Sequence, residues 1–136
     1  MSIPAFVAQW YLPSEVTVFA DGEWRKAFEF CEVNSTTIHV ITAWNPGDER
    51  PSQEINDEQN ERLLIDIHAI GLDALKALGS NPESDHAEKS WAVRGLTDKQ
   101  AVELGRKYGQ VAIFRISQLQ QTVLSCFDEW SISRDR

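Results

Sequence analysis

Apolar and polar residues alternate from Glu15 to Ala20, where Val16, Val18 and Ala20 keep the two-residue period of a half-buried strand. Asp21-Gly22 then offers the positive φ of a tight hairpin turn. Trp24, Phe28 and Phe30 resume the alternation, so a partner strand is expected from about Glu23 to Cys31. Ahead of this hairpin, Ile3 to Trp10 suits a short helix closed by Pro13; after it, Asn34-Ser35 supplies another turn. Thr37 to Trp44 (TIHVITAW) is nearly unbroken in its apolarity and rich in β-branched residues, the pattern of a central strand buried on both faces. Asn45-Pro46-Gly47 ends it, because proline removes a ladder donor and restrains its neighbour.

Ser52 is placed to cap the next helix, and the acids after it suit a positive helix N-terminus. Ile55, Leu63, Ile67 and Ile70, with Gln59 interrupting, trace a helical face down to Gly71. Leu72 to Leu78 reads as a short strand, Gly79 to Lys89 as polar loop, and Ser90 to Gly95 as another strand. Thr97 with Gln100 makes a capping box for a helix ending near Tyr108-Gly109. Val111 to Ile116 and Thr122 to Phe127 complete the strands. The expected fold is therefore α+β, a ferredoxin-like split βαββαβ core. Its strands lie at about 37–44, 72–78, 90–95 and 111–116 and its helices at about 53–70 and 97–108, with an added N-terminal hairpin and a C-terminal strand.

The chain has 136 residues, with 42% hydrophobic and 25% charged, the composition of one globular domain spanning 1–136. A chain of this length buries roughly two-thirds of its unfolded surface and needs no disulfide or metal staple. No basic segment leads into an apolar run, and no apolar stretch approaches the roughly 20 residues of a membrane span. A cytoplasmic, soluble protein is expected, with Cys31 and Cys126 as buried, reduced thiols and a bridge between them disfavoured. The formal charge of -8, with a pI near 4.8, opposes nucleic acid, and no Lys/Arg stripe compensates. Acids crowd between Asp48 and Asp66: Asp48, Glu49, Glu54, Asp57, Glu58, Glu61 and Asp66 face only Arg50 and Arg62. Such a stretch is a solvated helix face, or a surface that mimics nucleic acid or docks on a basic protein.

Right-handed crossovers bring the end of strand 37–44, the start of its helix, the 79–89 loop and the end of helix 97–108 to one edge of the sheet. Trp44, Asn45, Asn60, Glu88, Ser90, Trp91, Arg106, Tyr108 and Gln110 gather there as candidate ligand-binding residues. The indoles could stack a planar ligand, Arg106 take an anion, Asn45 and Gln110 hydrogen-bond, and Glu88 act as acid or base. The same residues also have plain structural uses: a turn cap at Asn45, an Arg106–Glu88 pair, core tryptophans. His39 sits in the best strand as a packed ring and His68 on a solvated or boundary face of the first helix. Asp85-His86-x-Glu88 places three donors in one loop, too few for a metal site, so no metal and no cofactor are expected. Glycine-rich phosphate loops and a Gly-x-Ser-x-Gly elbow are missing, Cys126 lies late in an apolar strand, and no reaction is named by these residues.

Ile41-Thr42-Ala43-Trp44-Asn45-Pro46 resembles the pattern of a mainly bacterial family, domain of unknown function 3293. The resemblance continues through Asn60 and Leu63, Gly79 and Pro82, and Glu88 with Ser90. It ends in Ala101-x-x-Leu104-Gly105-Arg106-x-Tyr108-Gly109-Gln110-x-Ala112-x-Phe114, so that it spans about 37–116. It carries over no activity. Two readings of function follow: a domain binding a small polar or nucleotide-like ligand at the sheet edge, with or without catalysis, and a protein-interaction or inhibitor module using the acidic helix 53–68. Neither involves nucleic acid or a membrane, and the sequence leaves the oligomeric state open.

Overall fold

The computed structural model describes residues 3–47, 49–81 and 87–136. Within them, the strands are β1 (Glu15–Ala20), β2 (Glu23–Lys26), β3 (Ile38–Ile41), β4 (Ala74–Ser80), β5 (Ala87–Val93), β6 (Ala112–Ile116), β7 (Gln120–Ser125) and β8 (Ser131–Asp135). All pair antiparallel in one eight-stranded sheet, ordered β2-β1-β4-β5-β3-β6-β7-β8 and curled into a half-barrel. The helices are α1 (Ala27–Asn34), α2 (Gln53–Ala69) and α3 (Asp98–Lys107), preceded by a single π-helical turn at Val7–Tyr11. None of the described helices is long and apolar enough to cross a membrane.

This architecture overturns the expected α+β, ferredoxin-like core. The stretches at 37–44, 72–78, 90–95 and 111–116 are expected to form a four-stranded core, with the hairpin and the C-terminal strand as additions; instead all eight strands form one continuous curled sheet. Strand β1 pairs with β4 from Glu15↔Ser80 to Val18↔Ala77, so the N-terminal hairpin continues the sheet. On the other side β7 and then β8 extend it from β6. Open N–H and C=O groups at a strand edge are satisfied by further strands, and the layer grows until it curls.

Local corrections have local causes. The strand expected to run to Cys31 stops at Lys26, and the chain turns into α1. Ala27, Phe30 and Cys31 are its buried residues, an i, i+3, i+4 stripe that the alternation of Phe28 and Phe30 had masked. Strand β5 starts at Ala87, inside the stretch read as loop, because Ser80↔Ala87 to Ala77↔Ser90 continue the ladder with β4. Strand β8 carries a single apolar residue, Ile132, and was invisible to hydrophobic periodicity. Thr97 does cap α3 through the reciprocal bonds with Gln100 that the spacing predicts.

The sheet is apolar on both faces. Ile38, Val40, Ala92 and Ile116 pack with Val16, Val18, Phe30 and Cys31 on the side of α1. Ile41, Val93 and Ile113 pack with Leu63, Ile67 and Leu104 on the side of α2 and α3. Neighbouring residues along a strand point to opposite faces, so β3 and β6 feed both cores at once. Each fully buried Ile or Leu contributes roughly 1.5–3 kcal/mol of apolar transfer, which makes this central region the stable part of the molecule.

Candidate functional site

Beyond Ile41 the chain leaves the sheet and its backbone N–H groups need other acceptors. Helix α2 supplies them. Its buried residues are Asn56, Asn60, Leu63 and Ile67, a stripe at helical spacing whose first two members are amides. The Ala43 N–H donates to Asn60 Oδ1 at 2.7 Å, and the Asn45 N–H to Asn56 Oδ1 at 3.0 Å. Asn56 Nδ2 returns a bond to Asn45 Oδ1 at 3.0 Å, and Asn60 Nδ2 reaches the Lys89 carbonyl at 2.8 Å. The expected apolar face through Ile55 and Ile70 is thus displaced: Ile55 is 49% exposed and Ile70 41%. The first half of α2 packs on polar backbone, which rewards an amide over an isoleucine.

Asn45 holds a left-handed φ of 48°, which asparagine tolerates better than most residues. Its Nδ2 donates to Glu88 Oε1 at 3.1 Å. The turn around it interlocks with the turn after α3. Gly47 N–H donates to the Gly109 carbonyl at 3.0 Å, and Gln110 Nε2 to the Trp44 carbonyl at 3.0 Å and the Tyr108 carbonyl at 3.3 Å. A Cβ on Gly109 would stand 2.8 Å from Pro46 Cβ. Two turns more than sixty residues apart therefore meet at one edge.

The sequence-selected residues divide at that edge. Asn45, Asn60 and Gln110 are buried; the amides of Asn60 and Gln110 are bonded to backbone, and that of Asn45 to the side chains of Asn56 and Glu88. Trp91 donates through Nε1 to the Asn60 carbonyl at 2.8 Å and joins the core beside α2. Trp44 lies under the Lys89 ammonium, 5.9 Å from its ring centroid, and among the described residues its buried Nε1 meets no acceptor. Glu88 and the buried Ser90 share a strand face with Ala92, on the α1 side of the sheet. Arg106 leaves the group: its Nε donates to the Cys126 carbonyl at 2.8 Å and its guanidinium covers the Phe127 ring.

Tyr108 faces an open cleft of about 670 Å³ between α2 and the interlocked turns. Ile55, Ile65 and Pro46 give it apolar walls; Gln59, Arg62, Asp66 and Lys107 give it polar ones. Tyr108 OH donates to Asp66 Oδ2 at 2.5 Å, and Lys107 Nζ lies 2.8 Å from the same oxygen. The bond from Lys107, then that from Tyr108, holds the Asp66 carboxyl below its usual range. Burial and the Asp66 carboxylate push the Tyr108 phenol well above its own. Asn56, Asp66, Ile55 and Ile65 are not among the site candidates read from the sequence, where Asp66 figures only in the acidic stretch and Ile55 only in the apolar face; the i, i+4 spacing of Asn56 and Asn60 was the available signal.

Other candidates resolve differently. His39 Nε2 lies 2.7 Å from Asp98 Oδ1, and Arg115 pairs with the other oxygen. Burial is the main reason the His39 ring titrates below its usual value. Both cysteines are free and buried, and burial pushes the Cys31 thiol up to about 11 and the Cys126 thiol to about 12. That is poor chemistry for a nucleophile. Asp48, Pro82, Asp85 and His86 lie outside the described residues.

Fold and site together define a curled antiparallel sheet whose edge is closed by side-chain amides and flanked by a helix-walled cleft. The chain belongs to the family described as Protein of unknown function (DUF3293), whose model matches residues 41–113, more than half its length. That segment contains every residue that lines the cleft. No curated protein and no solved structure matches the chain.

Proposed function

We propose that the protein binds a small, polar, planar ligand at this edge of the sheet, in the cleft between α2 and the turns at Pro46-Gly47 and Tyr108-Gly109. The observation that carries the reading is the cleft itself, about 670 Å³ with Ile55 and Ile65 left 49% and 65% exposed along it. Apolar side chains of that exposure beside convergent polar groups are what a ligand site presents. In this reading Asn45, Asn60, Trp91 and Gln110 stand behind the cleft and fasten the helix and turns that wall it, and Tyr108 contacts the ligand. Glu88, Ser90, Trp44 and Arg106 stand outside the cleft.

A thermal-shift screen of metabolites, guided by native mass spectrometry of freshly purified protein, tests it. The hit's stabilisation should vanish in Tyr108→Ala and in Ile55→Lys and persist in His68→Ala. Undiminished shifts in both cleft variants would sink the reading.

A second reading has its own support. Glu54, Glu58 and Glu61 are exposed on the same helix as Ile55 and Ile65, an arrangement that also suits a basic protein partner. Reversal of those three acids to lysine would then abolish capture of the partner without altering the metabolite shift.

A further inference from the structure

One end of the cleft already holds an ammonium group. Lys107 Nζ lies 2.8 Å from Asp66 Oδ2 and 5.8 Å from the centroid of the Tyr108 ring. A carboxylate beside an aromatic face is the combination that recognises alkylammonium ions, through a charge-assisted hydrogen bond and the ring quadrupole. The lysine itself is a loose occupant. Its side chain is 61% exposed, and a pair so exposed contributes little.

The acceptor is only half used. Tyr108 and Lys107 both engage Asp66 through Oδ2. Its Oδ1 receives no hydrogen bond among the described residues, although a carboxylate oxygen has two lone pairs to offer. The charges that line the cleft balance, Glu49 and Asp66 against Arg62 and Lys107, and the excess of acid lies beside it. Helix α2 carries Glu54, Asp57, Glu58, Glu61 and Asp66 against the single arginine Arg62, whose guanidinium donates to Glu58 at 3.2 Å. The whole chain stands at -8. Such a field concentrates cations and repels anions.

We infer that the cleft takes a ligand with a protonated amine on an apolar or planar body, the amine bound by Asp66 against the Tyr108 ring and the body lying along Ile55, Ile65 and Pro46. This rests on the small-ligand reading above and adds the sign of the ligand's charge. Lys107 is then an internal competitor for the site.

Two probes of matched shape, phenethylamine and 3-phenylpropionate, decide the matter in a ¹H–¹⁵N titration at millimolar concentration. Phenethylamine should shift the amides of Gln59, Asp66 and Tyr108, and 3-phenylpropionate should not. Asp66→Asn should weaken phenethylamine by about tenfold, the loss of one hydrogen bond to a charged group. Lys107→Ala should tighten it by about threefold, because the exposed pair it removes is weak. Should Asp66→Asn fail to fold, the sign of the Lys107→Ala effect still decides. Binding of 3-phenylpropionate that is lost in Lys107→Ala would overturn the inference and leave a small-ligand site standing. Silence from both probes, in the wild type and in Lys107→Ala, would overturn the inference, and the small-ligand reading would then be decided by the metabolite screen alone.

Discussion

Single side chains at the edge of this sheet stand in for missing backbone partners. Asn56 and Asn60 accept the N–H groups of Asn45 and Ala43 just where β3 has run out of neighbours. His39 is placed by a related economy: it is 5% exposed in the middle of β3, and its Nε2 proton goes to Asp98. Arg115 on β6 is the other charged group paired with that carboxylate. Because burial lowers the His39 pKa in the folded state, the unfolded chain binds the proton more readily. Stability is then fully present above the unfolded value of about 6.5 and is lost as pH falls through it toward the lower folded value. The urea midpoint should therefore drop between neutral pH and pH 5 in the wild type and drop less in His39→Gln; equal slopes would refute this. The packed-ring reading of His39 was available from its place in an apolar strand. Its partner was not, because Asp98 is distant in sequence and gives no local sign.

At the scale of elements, α2 and α3 are fastened to the sheet by different means. Helix α3 is pressed close: a Cβ on Gly105 would come within 2.7 Å of both Cys126 Sγ and Ile113 Cγ2. Its C-terminal turn meets Pro46 through Gly109, which combines a φ of 72° with the 2.8 Å approach. Gly109→Ala should thus lose about 1–3 kcal/mol, from the strained φ and the crowding together. Gly79→Ala, on β4 with nothing within 4 Å of the added atom and no positive φ, should be nearly neutral. Denaturant titrations of the two variants separate the cases. The capping box of α3 could be read directly, since it depends on residues three apart. The buried side of α2 could be read only in its second half, at Leu63 and Ile67, and not at Asn56 and Asn60. Hydrophobic periodicity assumes that the facing surface is apolar, and here the facing surface is a turn. The same assumption hid the cleft, because it places Ile55 on the core face although the residue is exposed along the cleft.

At the scale of the whole molecule, the half-barrel is tied across its ends. Arg134 on β8 donates to the carbonyls of Leu12 at 2.8 Å and Ser14 at 3.1 Å, and Gln121 on β7 donates to Ser14 at 2.8 Å. The chain then enters β1, five strands away from β7 in the sheet order. Arg134→Ala removes two long-range bonds from a charged donor and should lower stability by about 1–3 kcal/mol. Because the latch joins both ends, far-UV circular dichroism and tryptophan fluorescence should still report one shared transition. A fluorescence change that precedes the loss of secondary structure would show the ends opening independently. These contacts also explain why the fold was only partly legible. Strand direction and helix placement follow from local pattern, but the extent of a sheet is set by which edges find partners. For β1 that partner is β4, paired from Glu15↔Ser80 to Val18↔Ala77, and the latch to β7 and β8 joins residues still farther apart in sequence.

Asn45 is bonded at once to Asn56, beneath α2, and to Glu88, on the opposite side of the sheet. Its amide is thus a rivet through the layer. Movement of α2 has no route that spares this joint: either the far carboxylate is dragged along or the rivet shears. A ligand that displaced α2 from the cleft side would therefore load the Glu88 side as well.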